Sequence, residues 1–104
     1  MNKVLETAEK EIARLEIMEL CRMAAPEGVN AKIIRASLKK SGYDMSEEEI
    51  LQQADYLHQK GLLSVVRVTN RMLGIRRDVI KITAAGIDYM EGNSGSITGI
   101  DEGS

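Results

Sequence analysis

A segment near the middle of the chain carries an unusual concentration of positive charge. From Arg67 to Lys81 there are five basic side chains and one acidic one, a formal charge of +4, whereas the whole chain has a formal charge of −2. The other positions must therefore hold −6. Clustered cationic groups attract polyanions, and phosphate is a common target of such surfaces. The basic residues are Arg67, Arg71, Arg76, Arg77 and Lys81.

Catalytic or metal chemistry has little support in the sequence. Cys21 and His58 are the only cysteine and the only histidine. Cys21 lies in a helical pattern without a cluster of cations around it to activate the thiol, and His58 has apolar helical neighbours, where a hydrogen-bonded ring is the usual state. A single cysteine forms no internal disulfide and favours a reducing compartment. We predict a protein that is not an enzyme and has no metal or cofactor site.

The length and composition predict one small domain. The chain has 104 residues, of which 43% are hydrophobic, and it lacks Trp and Phe, so its core must be aliphatic. The N-terminal sequence "MNKVLETAEKEIARLE" alternates acids and bases, and no segment approaches the roughly 20 apolar residues of a membrane span. We therefore predict a cytoplasmic protein without membrane association.

The first predicted helix runs from Lys3 to Ala24, a segment of strong helix formers without Gly or Pro. Its additional apolar residues Ile17, Met18 and Cys21 widen the apolar stripe. Either the domain itself covers this helix deeply or a second subunit covers part of it. The residues predicted to face inward are Leu5, Ala8, Ile12, Leu15, Leu20 and Met23.

Two further helices follow the break at "APEGVN". Asn30 is the expected N-cap of the second helix, "AKIIRASLKKSG". Ser46 followed three residues later by Glu49 predicts a capping box at the start of the third helix, which should run from about Glu47 to Lys60. The inward residues of this third helix should be Ile50, Ala54 and Leu57.

After Gly61 the apolar period changes from helical to alternating, which predicts a β-hairpin. Ile80 and Ile82 should face the core, whereas Arg77 and Lys81 should give the hairpin a cationic outer face. Thr83 should cap a short closing helix, "AAGIDYMEG". Residues 93–104 are rich in Gly and Ser and are predicted to form a flexible tail after a domain of residues 1–92.

This order of elements resembles a winged helix-turn-helix domain. Two segments carry the resemblance, "SEEEILQQADYLHQKGLLSVVRV" and "RRDVIKITAAGIDYMEG". Both are similar to the corresponding segments of many bacterial winged-helix regulators. The length, the Gly-Ile-Asp segment and the Gly-rich tail also look like the small winged-helix proteins of Mu-like prophages. The resemblance implies an α+β, mainly α fold with a three-helix core, a two- to three-stranded β-wing and a short C-terminal helix.

The resemblance also implies a DNA-binding transcriptional regulator of bacterial or prophage origin. In such domains the third helix enters the major groove of double-stranded DNA, the second crosses the backbone and the wing contacts phosphates or the minor groove. The outer face of the third helix would then read bases, chiefly through Gln52, Gln53 and Tyr56, with Glu49 and Gln59 beside them. The phosphate contacts would be Lys32, Arg35 and Lys39 on the second helix and Arg67, Arg71, Arg76, Arg77 and Lys81 on the wing.

The third helix departs from that pattern because it is acidic. From Ser46 to Lys60 it holds four acids and one base, a sum of −3, and such carboxylates oppose an approach to phosphate. They either stabilise the helix dipole or form a face for a basic protein partner. The alternative function is therefore a protein-interaction module in a phage or regulatory complex. The first helix offers a homodimer contact that would place two third helices about one DNA turn, ~34 Å, apart.

Overall fold

The computed structural model describes residues 3–94, with side chains from 6 to 92. Three helices precede an antiparallel hairpin and a closing helix, so the predicted α+β, mainly α winged-helix fold is confirmed. The last helix continues to Ser94, beyond the predicted end of the domain, and residues 95–104 of the predicted tail lie outside the described residues. The elements are α1 (Lys3–Ala24), α2 (Ala31–Lys40), α3 (Glu47–Gln59), β1 (Leu63–Asn70), β2 (Ile75–Ile82) and α4 (Ala84–Ser94).

Local capping interactions fix the start of α2 and α3, as predicted. The backbone N–H of Glu49 donates to Ser46 Oγ at 3.1 Å, and the Ser46 N–H donates to Glu49 Oε1 at 3.0 Å. Asn30 Oδ1 accepts from the Ile33 N–H at 2.8 Å. Each of these bonds satisfies a donor that the first turn of a helix leaves unpaired. Because both partners lie within three residues, the sequence alone was sufficient to find them.

The face of α1 that meets the core differs from the predicted one. Ala13, Ile17 and Cys21 are buried against α2, α3 and the hairpin. The predicted inward residues Leu15 and Met23 are instead 57% and 82% exposed, and Ile12 is also exposed. Both faces are apolar, so periodicity alone could not choose between them. The buried face includes the small side chains of Ala13 and Cys21, which allow the neighbouring elements to approach closely.

The sheet has β2 at its centre and β1 at its edge. β1 pairs with β2 in an antiparallel register that places Leu63 opposite Ile82. On the other side of β2, Val29 and Ile80 exchange two backbone hydrogen bonds of 2.9 and 2.7 Å. The predicted two- to three-stranded wing is therefore a two-stranded hairpin with a single-residue bridge in the third position.

The basic residues of the hairpin lie on both of its faces, so the prediction of one cationic outer face is wrong. Arg67 and Arg76 share the face that covers the core, whereas Arg77 and Lys81 lie on the opposite face. The reason is that the hairpin is longer than the core beneath it, so both faces of its distal half meet solvent. The opposite face also exposes apolar side chains, namely Val66, Val68 and Ile75.

Candidate nucleic-acid interface

The single acid of the basic segment joins the wing to the second helix. Asp78 Oδ2 accepts a 2.8 Å hydrogen bond from the backbone N–H of Ala31, the first residue of α2. A carboxylate at this position also interacts favourably with the positive end of the helix dipole. The bond fixes β2 beside the N-terminus of α2 and so brings basic residues from two separate elements into one region.

A shallow groove of about 240 Å³ lies at this junction. It contains three of the predicted phosphate-binding residues, Lys32 of α2 and Arg76 and Arg77 of β2. Glu47 and Asp78 also line it. Three cations against two carboxylates leave a small positive excess, and Asp78 is already engaged by the helix terminus.

A second groove, of about 400 Å³, lies between α3 and the wing. In this groove Arg67 Nη2 donates to Asp55 Oδ2 at 2.8 Å, and both side chains are about half exposed. An ion pair of this kind contributes at most about 1 kcal/mol. It nevertheless directs Arg67 toward α3 and compensates its charge locally. The groove is lined by Glu48, Leu51, Gln52, Asp55, Arg67 and Arg76.

The two grooves together are electrically balanced, so the interface is not a uniformly positive surface. Four bases line them, and so do four acids. Positive charge continues outside the grooves, where Arg35 and Lys39 are exposed on the same side of α2 as Lys32. Arg71 is exposed at the tip of the hairpin. An anion would therefore be held by the flanks of the interface and by the junction groove.

The structure separates the three predicted base-reading residues. Gln52 is exposed in the groove between α3 and the wing. Gln53 is only 7% exposed, and its Oε1 accepts a 2.8 Å hydrogen bond from Arg14 Nε. The prediction that Gln53 lies on the outer face is therefore wrong. It lies three residues after Ile50 and four before Leu57, within the buried stripe of α3.

Tyr56 lies on the α1 side of the helix rather than beside the wing. The Arg14 guanidinium lies 4.0 Å from the centre of its ring and the Lys60 ammonium 5.1 Å. Cations at these distances interact favourably with an aromatic face. A groove of about 500 Å³ between α1, α3 and α4 includes Tyr56, Lys60 and Tyr89 in its lining. Sequence reasoning missed the contacts of Arg14 with α3 because they join distant positions in the chain. Arg14 precedes Gln53, the other α3 residue that it contacts, by 39 residues.

The cysteine and the histidine have structural partners. Cys21 is fully buried, and its thiol donates to the Ile80 carbonyl oxygen at 3.4 Å. Burial raises the pKa of this thiol from 9.0 to about 12. His58 Nδ1 lies 3.0 Å from the carbonyl oxygen of Leu63. Over the described residues, no group of three or more His, Cys, Asp or Glu side chains is placed to hold a metal ion.

We expect the Cys21 thiol of the folded protein to resist modification by a thiol reagent such as dithionitrobenzoate at pH 8. The raised pKa keeps the thiol protonated and burial blocks access, so the labelling rate should follow unfolding. Because the pKa is raised in the folded state, the contribution of Cys21 to the free energy of unfolding is complete below pH 9. This contribution should be lost as the pH rises from 9 toward 12. Rapid stoichiometric labelling without denaturant would contradict this expectation.

No helix in the described part of the chain is both long enough and apolar enough to cross a membrane. The sequence matches no protein-family model, and no curated protein is significantly similar to it.

Two solved structures with a similar fold bear the names of transcription factors. A PadR-like transcription factor from Bacteroides fragilis has a TM-score of 0.70 and 23% sequence identity, over 92% of this chain and 89% of the other. A PadR family transcriptional regulator from Eggerthella lenta DSM 2243 has a TM-score of 0.59 and 15% identity, over 91% of this chain and 83% of the other. At these identities the likeness supports the winged-helix fold.

Proposed function

We propose that this protein is a DNA-binding winged-helix regulator of transcription. The observation that carries the proposal is the junction groove, in which Lys32, Arg76 and Arg77 converge from α2 and β2. Two solved structures of similar fold bear the names of transcription regulators, which is the role proposed here. A bacterial or prophage origin, and a place in the cytoplasm where such DNA is found, belong to the same proposal.

The second helix and the wing would hold the phosphates. Lys32, Arg76 and Arg77 would make the central contacts, because they meet in one groove. Arg35 and Lys39 would extend the contact along α2, and the predicted wing contacts Arg71 and Lys81 would extend it along the hairpin. Arg67 has a different part, since its ion pair with Asp55 positions the wing against α3.

Base reading would depend on Gln52. Its amide can bond bidentately to adenine in the major groove, and its exposed position beside the wing suits that contact. Gln53 would contribute indirectly through its bond to Arg14, and Tyr56 through its contact with α1. Glu47 and Glu48 lie near the same surface and would limit the affinity.

We include a homodimer through α1 in the proposal. The exposed apolar residues Ile12, Leu15 and Met23 lie on this helix and leave apolar surface that a second copy would cover. Two copies would present two α3 helices to DNA, as paired half-sites require.

The double variant Arg76→Ala/Arg77→Ala should lose at least about tenfold in affinity for mixed-sequence duplex DNA. Each lost phosphate contact should also reduce the slope of log K against log salt by about one. Fluorescence anisotropy at two salt concentrations measures both quantities, and light scattering of the same samples counts the subunits.

The matched control is Lys10→Ala/Arg22→Ala, which removes the same charge from exposed positions of α1. It should leave affinity within about threefold, because it retains the junction groove. Equal losses in the two variants would show that net charge alone acts. Absence of binding at low salt, with random and genomic fragments alike, would contradict the proposal.

A second candidate function is the protein-interaction module. One observation favours it: the carboxylates of Glu47 and Glu48 have no hydrogen bond or ion pair with any other residue between 3 and 94. Asp55 contributes less to such a face because Arg67 neutralises it. Capture of one stoichiometric basic protein, without DNA, would favour this function over the first.

A further inference from the structure

The hydrogen-bond pattern of the hairpin shows which backbone groups face its free edge. In an antiparallel strand the N–H and C=O of one residue point to the same side, and the side alternates along the strand. The carbonyl of Leu63 faces His58, and Ile80 directs both of its groups to Val29. Leu63, Ile80 and the residues that alternate with them along each strand therefore do not form hydrogen bonds across the hairpin. The pairing of Val65 with Ile80 agrees with this, because both belong to the alternating sets.

The same parity leaves three residues of β1 with outward backbone groups. The N–H and C=O of Val65, Arg67 and Thr69 point away from β2 because these residues alternate with Leu63. No other residue between 3 and 94 supplies a hydrogen bond to these groups. β1 therefore offers a template of up to six donors and acceptors.

This edge has few of the features that usually prevent strands from adding to it, since its one charged side chain, Arg67, is paired with Asp55. β1, "LSVVRVTN", has no Pro, no Lys and no acidic residue, and its pairing with β2 is continuous without a bulge. Val66 is 50% exposed and Val68 is 55% exposed on the face away from the core. The edge thus combines outward backbone groups with exposed β-branched side chains.

We propose that the β1 edge binds an extended acidic segment of a partner protein, which adds to the sheet as a further strand. Main-chain hydrogen bonds supply affinity in this mode, and alternate side chains supply selectivity. Apolar side chains of the segment would lie beside Val66 and Val68. Its carboxylates would meet the positive charge of the hairpin, since Arg77 is paired opposite Val68 and Lys81 opposite Ser64 on the same face.

The positive charge of the hairpin favours an acidic segment over a second copy of the chain at the β1 edge. Two β1 edges brought together would place two hairpins of like charge side by side, each with a formal +4 between residues 67 and 81. An acidic segment would instead be attracted. The backbone groups of the proposed site lie at the β1 edge, whereas the junction groove lies on the α2 side of β2. The proposed site shares the side chains of Arg77 and Lys81 with the proposed DNA contacts but no backbone group.

A synthetic peptide tests the proposal on the full chain. The probe is acetyl-Glu-Val-Thr-Val-Asp-Val-Glu-amide, titrated while backbone amide shifts are followed by NMR. We expect saturable binding with a Kd below about 1 mM, the largest shifts at Val65, Arg67 and Thr69, and peptide-to-β1 contacts in NOE spectra. Without peptide, these three amides should exchange with solvent faster than those of Val66 and Val68.

Thr69→Pro provides the decisive variant. It removes one outward N–H and fills the space that an added strand needs, yet it removes no β1–β2 hydrogen bond, so the hairpin should persist. We expect peptide binding at least about tenfold weaker than in the matched control Thr69→Ala, which keeps the N–H. NOEs between β1 and β2 check that the hairpin is intact in both variants.

Three results would overturn the proposal. Shifts confined to another surface would place the peptide elsewhere, and equal binding by a peptide with Lys in place of Glu and Asp would exclude charge selection. Concentration-dependent shifts at the same three amides without peptide would identify a second copy as the occupant. Loss of peptide binding in Thr69→Pro with unchanged DNA affinity would support a protein site separate from the proposed function.

Discussion

Replacement of Ile80 by alanine should lower the free energy of unfolding by about 2–5 kcal/mol. Ile80 is fully buried at the centre of the sheet, where it pairs with Val65 and bridges to Val29. Its carbonyl oxygen also accepts from the Cys21 thiol. The truncation would leave a cavity at the point where α1, the hairpin and the segment before α2 meet. For a domain of this size such a loss is a large part of the total stability.

Urea denaturation followed by circular dichroism measures the change. Ile80→Val should cost about 0.5–1.5 kcal/mol, because it removes only one methyl group. The matched control is Ile75→Ala in the same strand, which should cost less than about 1 kcal/mol since Ile75 is 45% exposed. An Ile80→Ala loss no larger than the Ile75→Ala loss would show that the hairpin does not cover the core as described.

Replacement of Gly86 by alanine should destabilise the fold by about 1–3 kcal/mol, the usual cost of overpacking. A Cβ at this position of α4 would overlap the backbone carbonyl of Leu62 and lie 2.8 Å from Ile82 Cγ1. The backbone cannot shift easily there, because the Leu62 oxygen accepts from the Thr83 N–H and Thr83 caps the helix through Gly86. The substitution should therefore separate α4 from the hairpin.

The matched control for Gly86 is Gly92→Ala in the same helix. An added Cβ at Gly92 meets nothing within 4 Å, and alanine is the better helix former by about 1 kcal/mol. This variant should be neutral or slightly stabilising in a thermal melt. If the two variants melted at the same temperature, close packing between α4 and the Leu62 carbonyl would be disproved.

Sequence reasoning succeeded where the determining interactions were local. The caps at Asn30 and Ser46 involve partners three residues away, and their prediction was confirmed. The face of α1 depended on partners distant in sequence, because Ile17 and Leu15 are equally apolar and only the neighbouring elements decide which is covered. Helical periodicity shows that α1 has apolar faces but does not show which of them the neighbouring elements cover.

The candidate interface shows the same division. The basic residues of α2 and β2 were identified from the sequence. Their proximity could not be, because it depends on the bond between Asp78 and the Ala31 N–H, 47 residues apart. Gln53 could have been assigned correctly, since its spacing from Ile50 and Leu57 places it in the buried stripe. The compensation of Arg67 by Asp55 needed the structure, because it depends on how the hairpin lies against α3.

The bond from Asp78 to α2 has a mechanical consequence for the hairpin. A wing anchored at mid-length cannot swing as an independent flap, so any load on its base is transmitted to the first turn of α2. Among the described residues, the portion beyond Asp78, toward the tip at Arg71, has no such bond to α2. A ligand at the tip would thus contact a part of the hairpin that is not bonded to α2, whereas a ligand at the junction would contact two elements that are held together.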